Sequence, residues 1–344
     1  MDLMDFILNS PALAPPPGVA SNFDNPSNQT GLVVSTMTFF LVLSTLTILL
    51  RAYSRVAIIR KFNLDDFFVF AGYGLFVSFT YCIYTLSRGV GFFVHQWDIR
   101  VKDTKDMLYY IHFSACFYAM SVMCLKVAIL LEWTRIFSPH GISRRFSRIC
   151  YTLMVINICF YTASVIASAL SCRPYKRIWD KLVPGTCINT MILDVTSSAI
   201  NVLSNIIILL LPQHIIWRLQ MTLKRKIGVA LVFGVGIICV ASALGRLVVT
   251  VEYFQSPDVS YHVSAVGIWC LSEMTCLLIV CCCPTISKIF NESQLFSRVF
   301  SSLQSLRGTR QSRNDASVEL SNSKDDPTPL VNTYRKIETG RGLS

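Results

Sequence analysis

Charge is what this sequence has least of: 15% of its 344 residues are Asp, Glu, Lys or Arg, against 53% hydrophobic residues. So few charges cannot coat a soluble domain, and the mean hydropathy of +0.51 makes lipid the solvent for most of the chain. The first thirty residues hold Asp2, Asp5, Asp24 and the run Pro15-Pro16-Pro17 but no Lys or Arg. That removes the basic start a cleavable signal needs, so the first spanning helix is expected to act as the targeting signal. Also missing are a phosphate-binding glycine loop, an HExxH pair, an Asp-rich metal motif and a Gly-x-Ser-x-Gly elbow. Neither nucleotide-driven nor metal-dependent chemistry is signalled, and no cofactor and no metal site is expected. A disulfide framework is absent as well: of thirteen cysteines, eleven fall inside or at the ends of apolar stretches. Only Cys172 and Cys187 share a loop, which limits the chain to one structural disulfide.

What is present is a set of seven long apolar segments: Leu32–Leu50, Phe67–Leu86, Leu108–Leu131, Ile149–Leu170, Asn189–Leu211, Ile227–Thr250 and Val263–Cys283. A hydrocarbon core of about 30 Å needs about 20 helical residues. Lipid-exposed backbone must bond within its own segment, so all seven read as helices, and no ten-residue alternation suggests a barrel. The expected fold is therefore an all-α integral membrane protein, a bundle of seven transmembrane helices. No internal repeat is visible, and an odd number of spans argues against a transporter of two equal inverted halves.

The net charge of +11 would suggest nucleic acid in a soluble protein; here it reports topology, and no nucleic-acid partner is expected. Lys and Arg number 0, 4, 4 and 0 in the N-tail and the loops after spans two, four and six. They number 4 in each loop after spans one, three and five, and 9 in the C-terminal tail. The totals of 8 and 21 place the N-terminus outside or in the lumen and the C-terminus in the cytosol. The organisation read from these patterns is a short lumenal or extracellular N-tail over 1–31 and a seven-helix domain over 32–284. An amphipathic interfacial helix follows over 285–307, with Ile286, Ile289, Phe296, Val299, Phe300, Leu303 and Leu306 near helical spacing. The polar segment 308–344 reads as a disordered cytosolic tail.

A charge at the bilayer centre costs about 2.5 to 3.5 kcal/mol on insertion scales, which makes Lys126, Asp194, Arg246 and Glu273 the first functional candidates. Lys126 reads as an interface anchor whose stem snorkels to the headgroups. Asp194 and Arg246 fall in the outer half of neighbouring spans. They read either as an ion pair that fixes the bundle or, with Glu273, as the charged wall of a lumenal pocket and a catalytic trio. In that pocket Glu273 is expected to serve as a general acid. Tyr81, Tyr84, Tyr110 and His112 on spans two and three, with Asn201 on span five, are candidate ligand contacts, although belt residues and helix-helix hydrogen bonds explain such groups equally. Cys172 and Cys187 lie on the predicted oxidising side and are expected to be bonded, which closes a loop worth about 3 kcal/mol in the chain-entropy picture. Asn28-Gln29-Thr30 is a formal glycosylation acceptor on the same side, and its place almost at the membrane edge works against access. Cys281-Cys282-Cys283 read as buried small hydrophobes or as acylation sites. The last span has no lysine, which excludes a retinal Schiff base of the usual rhodopsin kind.

Several short strings carry a resemblance: Leu64-Asp65-Asp66-Phe67, Lys126 with Trp133-Thr134-Arg135-Ile136-Phe137, Cys172-Arg173-Pro174-Tyr175, Trp179-Asp180, and Gly185-Thr186-Cys187. To these are added Asn201 to Asn205 through Leu211-Pro212, Lys226 through Arg246, and Cys283-Pro284-Thr285. Over about residues 32 to 290 the chain resembles the fungal rhodopsin-domain integral membrane proteins, a family that includes a membrane protein of the satratoxin toxin cluster. It departs from them at Asn205, where members often carry Asp. The resemblance implies a fungal source and a seven-helix fold, and two kinds of role. One is a membrane protein of secondary-metabolite biosynthesis that binds a lipophilic terpenoid or polyketide intermediate beside other pathway enzymes. If such a protein is an enzyme, it is a cofactor-independent cyclase, isomerase or pericyclase. The other is a seven-helix G-protein-coupled type of receptor for a hydrophobic or surface cue, with Glu132-Trp133-Thr134-Arg135 as its faint acidic-Arg signature. The endoplasmic reticulum or the plasma membrane is the expected location.

Overall fold

The computed structural model describes residues 3–24, 26–137, 144–216, 223–256 and 258–292. A short α1 (Leu3–Asn9) precedes α2 (Thr30–Tyr53), which winds on through a π-helical turn at Ser54–Ile59. Then come α3 (Leu64–Gly89), α4 (Val101–Phe137), α5 (Arg144–Ala169), a two-stranded hairpin of β1 (Cys172–Arg173) and β2 (Thr186–Cys187), α6 (Thr190–Ile216), α7 (Leu223–Gln255) and α8 (Val259–Glu292). Seven of the helices, α2 to α8, are long and apolar enough to cross a membrane, and each covers one of the segments expected from hydropathy to within one residue. α8 continues through Pro284 to Glu292 without a break. Residues 293–344, with most of the expected interfacial helix and all of the tail, lie outside the described residues.

The helices are not equivalent. The most apolar windows of α4 and α8 are 61% and 67% buried, against 17% for α5 and 22% for α7, so α4 and α8 form the axis around which the others pack. Close approach to that axis has local causes. Gly72 on α3 leaves room for Leu125 of α4, whose Cδ2 would lie 2.8 Å from a Cβ added there, and Ser121 Oγ donates to Gly72 O at 2.8 Å. The core that results is a continuous cluster running from Val33 and Met37 through Phe76, Leu125 and Ile129 to Leu271, Met274 and Leu278.

One end of the bundle carries the hairpin, and Cys172 and Cys187 are bonded there as expected. The same end gathers the segments between helices. Ala12 N donates to Ile99 O at 2.8 Å and Val101 N to Ser10 O at 3.1 Å, which pins the N-tail against the start of α4. His95, before α4, reaches Asp258, before α8, at 2.5 Å. The hairpin loop rests on α4 through Lys105 and Asp180, 3.1 Å apart, and through Tyr175 OH, 3.3 Å from His112 Nε2.

The opposite end holds six charges on three helices. Arg51, fully buried, donates through Nε to Asp66 at 3.0 Å, through Nη2 to Asp65 at 2.8 Å, and through Nη1 to Glu132 at 3.1 Å and to Cys281 O. Arg55 and Arg135 complete the set, bonding Asp65 at 2.8 and 3.0 Å. Three cations face three carboxylates, so the cluster is neutral as a whole, and α8 joins it through a backbone carbonyl. Sequence counting treats Arg51 and Arg55 as loop charges; the structure makes them interior ones, because the two aspartates opening α3 and Glu132 of α4 need more donors than Arg135 of α4 supplies, and α2 with its π-helical turn brings them within reach.

The Lys105 hydrogen bond holds the Asp180 carboxyl below the usual aspartate range. A folded-state value lowered in this way stabilises the docked loop above the unfolded-state value, and the contribution is lost as pH falls through the lowered one. Hydrogen-exchange protection factors over 172–187, taken against the intrinsic rate at each pH, should therefore be flat near neutrality and fall only in acid, and Asp180→Asn should lower them at neutral pH. Removing Arg51 leaves three buried carboxylates with two cations, so Arg51→Ala should cost about 3 to 5 kcal/mol, read as lost melting temperature in detergent. Arg51→Lys should not restore it, since an ammonium cannot span three carboxylates and a carbonyl.

Candidate functional site

Midway along α8 the carboxylate of Glu273 is 0% exposed, and three other helices supply its partners. Asn201 and Asn205 are one turn apart on α6, and their Nδ2 groups donate to Oε1 at 2.6 and 2.7 Å. Tyr118 OH of α4 donates to Oε2 at 2.7 Å, and Nε of Arg246 on α7 lies 3.5 Å from the same oxygen. Behind Asn201 stands Lys126, also 0% exposed. Its ammonium donates to Asn201 Oδ1 at 2.7 Å and to Tyr161 OH at 3.0 Å, while Tyr161 OH donates to Asn201 Oδ1 at 2.6 Å. Lys126 thus fixes which way the Asn201 amide faces: its oxygen meets the ammonium, so its NH2 meets the carboxylate.

Beside this network lies a cavity of about 200 Å3 toward the hairpin end. Phe79, Ile83 and Val266 give it apolar walls, and Tyr118, Tyr161, Asn201 and Arg246 form a polar side. Asp194 and Ser198, one turn apart on α6, also face it, and Arg246 Nη1 donates to Ser198 Oγ at 2.9 Å. The Arg246 guanidinium sits over the Tyr118 ring, 4.9 Å from its centroid. A mostly apolar cavity with a few convergent polar groups is the form that small-molecule sites take.

The candidate residues separate under this geometry. Arg246 and Asn201 line the cavity. Asp194 lines it too, but the ion-pair partner of Arg246 is Glu273, 3.5 Å away, not Asp194. Glu273, expected as a general acid in the pocket, is not in the cavity wall: Tyr118 and Asn201, both bonded to its carboxylate, stand between it and the cavity. The snorkelling expected for Lys126 is overturned: its amine turns inward to Asn201 and Tyr161, because α6 and α5 offer oxygens at that level. Tyr81, 65% exposed, and Tyr84, whose OH accepts from Arg88 at 2.7 Å, face outward and are not in the cavity wall. Tyr110 and His112 belong to an aromatic patch under the hairpin, where Tyr109, Phe113, Tyr175 and Trp179 pack edge to face. Asn28 is exposed and its amide donates to Pro26 O at 3.1 Å. Among the described residues no group of three His, Cys, Asp or Glu has the proximity to hold a metal ion. Tyr118 and Tyr161 were not singled out from sequence; in apolar spans a tyrosine reads as a belt or core residue, and only the buried Glu273 and Lys126 signal that hydroxyls must be near.

The Fungal rhodopsin domain matches residues 50–292, which take in both charged clusters and every cavity residue. The chain belongs to that family. This fungal rhodopsin-domain protein is 36% identical over 295 residues to Fugralins biosynthesis cluster protein 2 of Gibberella zeae, across 85% of its own length and 73% of that protein. It is 29% identical over 225 residues to a SAT4 family membrane protein of Emericella nidulans, across 65% of its own length and 57% of that protein. Receptor GIN3 of Arthrobotrys oligospora is 22% identical over 310 residues, across 88% of this chain and 72% of the receptor. The chain thus spans little more than half of the Emericella protein.

Among the described residues Glu273 is the carboxylate at ion-pair distance from Arg246. Glu273→Gln should therefore lower stability by about 3 to 5 kcal/mol, the cost of stripping a buried pair of one partner. Asp194→Asn should stay within about 0.5 kcal/mol. Thermal unfolding of the two variants in the same detergent checks the ranking; equal losses would reinstate Asp194 as the structural partner of Arg246.

Proposed function

We propose that the protein is a multi-pass membrane component of fungal secondary-metabolite biosynthesis that takes a lipophilic terpenoid or polyketide intermediate into the cavity between α4, α6 and α8. One observation carries this reading: a mostly apolar cavity opens beside a buried polar centre, in a chain whose relatives include membrane proteins of fungal secondary-metabolite clusters. An apolar cavity of about 150 Å3 accepts a benzene ring, so 200 Å3 accepts a ring-sized body or the end of a longer molecule that continues into lipid. The basic-residue count supports an N-terminus outside or in the lumen, which turns the cavity and hairpin to that side and the Arg51 cluster to the cytosol. It is consistent with residence in the endoplasmic reticulum or plasma membrane. Where the protein acts on its ligand, a cofactor-free cyclisation or rearrangement suits the site. Folding an intermediate against Phe79 and Ile83 supplies proximity, and Tyr118, backed by Glu273, is the group placed to exchange a proton with it.

A receptor is the second reading, favoured by the likeness to Receptor GIN3 over most of the chain. It also draws on the axis helices: α4 and α8 carry the cavity network at mid-height and Glu132 and the Cys281 carbonyl in the cluster at the far end.

Expression in a fungal host beside candidate pathway enzymes, with and without this chain, followed by product analysis, tests the first reading. A changed product profile that reverts with Tyr118→Phe or Asn201→Leu is the expected outcome. Identical products in every pathway context, together with activation of a G-protein α subunit by a hydrophobic cue, would replace it with the second.

A further inference from the structure

Two of the buried arginines, Arg51 and Arg246, are treated very differently by their surroundings. Arg51 has bonded partners for Nε, Nη1 and Nη2: three carboxylates and a carbonyl. Its guanidinium is used up by the fold. Arg246 is only 8% exposed, yet a single hydrogen bond, from Nη1 to Ser198, accounts for its donors. Its Nε is buried with no hydrogen-bond partner and lies 3.5 Å from a Glu273 carboxylate already occupied by Tyr118, Asn201 and Asn205. A guanidinium carries five N–H donors in a planar fork. Among the described residues the rest of that fork meets no protein acceptor, and it lines the cavity.

Charge points the same way. Lys126 has no carboxylate at ion-pair distance among the described residues, so the buried centre holds two cations, Lys126 and Arg246, to one anion, Glu273. In a site screened from water, an uncompensated cation is costly and attracts an anion strongly. Asp194 faces the same cavity one turn nearer its hairpin end than the Ser198 that Arg246 holds; its charge is felt by Arg246 across the cavity, but among the described residues no ion pair within 4 Å joins it to either cation, so it does not occupy the Arg246 donors.

The geometry points to Arg246 as the reader of a carboxylate: the cavity takes the head of an amphiphilic carboxylic acid, whose apolar body lies along Phe79, Ile83 and Val266. This rests on the cavity being the ligand site proposed above. Arginine suits the task because its fork matches a carboxylate in two parallel hydrogen bonds, which a neutral ester or an amine cannot form. Ser198 holds one arm of the fork and the Tyr118 ring supports its face, so the free donors are oriented before a ligand arrives.

The test uses the full chain in lipid nanodiscs and three matched probes that each carry a diazirine: a medium-chain fatty acid, its methyl ester and the corresponding primary amine. Photolabelling yield and position are read by mass spectrometry. The acid is expected to label the cavity walls on α3 and α6 at least about tenfold more than the ester, since a lost charge-assisted bidentate pair is worth a factor of that order. Arg246→Gln is expected to bring acid labelling down to the ester level while leaving the ester unchanged. Should that variant fail to fold, the comparison of acid with ester on the unsubstituted chain still decides. Equal labelling by acid and ester overturns the carboxylate and keeps the cavity as the ligand site. Preferential labelling by the amine overturns it in favour of Asp194 as the reader. Failure of all three probes to label the cavity removes both the head-group inference and the site it rests on.

Discussion

A carboxylate carried at the middle of a membrane-spanning helix must be met by donors from other helices, because neither water nor lipid can supply them. Glu273 draws on α4, α6 and α7, and through Asn201 it reaches Lys126 and Tyr161 as well. That requirement fixes how these helices are rotated. Asn201 and Asn205 must point inward together, Tyr118 must aim its hydroxyl at α8, and α7 must turn Arg246 to the same point. Apolar packing alone is a weak guide to rotation in lipid, where every apolar face is equally content; hydrogen bonds that have no alternative partner are a strong one.

The cluster at the opposite end applies the same rule with a different result. Its charges balance, and its donors are spent on acceptors within the fold, so it acts as a clamp holding α2, α3, α4 and α8 together. The central network is bonded on the Glu273 side and open on the Arg246 side. A cavity next to an under-used cation is what separates the central network from the clamp, although the sequence presents both as charged residues in or beside apolar spans.

How far the sequence can be read follows from what each signal depends on. The seven spans were legible because length and hydropathy are properties of a segment and need no partner. The Cys172–Cys187 bond was legible because no other two cysteines share a loop. Lys126 was misread because a snorkelling lysine and an inward lysine have the same local sequence; the difference lies in Asn201 and Tyr161, 75 and 35 residues away in the chain. Asp194 and Arg246 were paired on depth alone, whereas the actual pairing of Arg246 depends on the rotation of α8 about its own axis.

The sequence by itself determined that this chain lives in lipid, that it crosses seven times, that one loop is bridged by a disulfide, and that four charges fall inside the spans. Each of these is settled by composition, or by distances measured along the chain. Only the tertiary structure decided which charges are spent on one another and which remain available: that Arg51 is enclosed by Asp65, Asp66 and Glu132, that Glu273 is withdrawn behind Tyr118 and Asn201, and that Arg246 faces a cavity. The physical reason is that a helix can turn about its axis without changing its hydropathy, and the turn it adopts is chosen by polar groups on other helices.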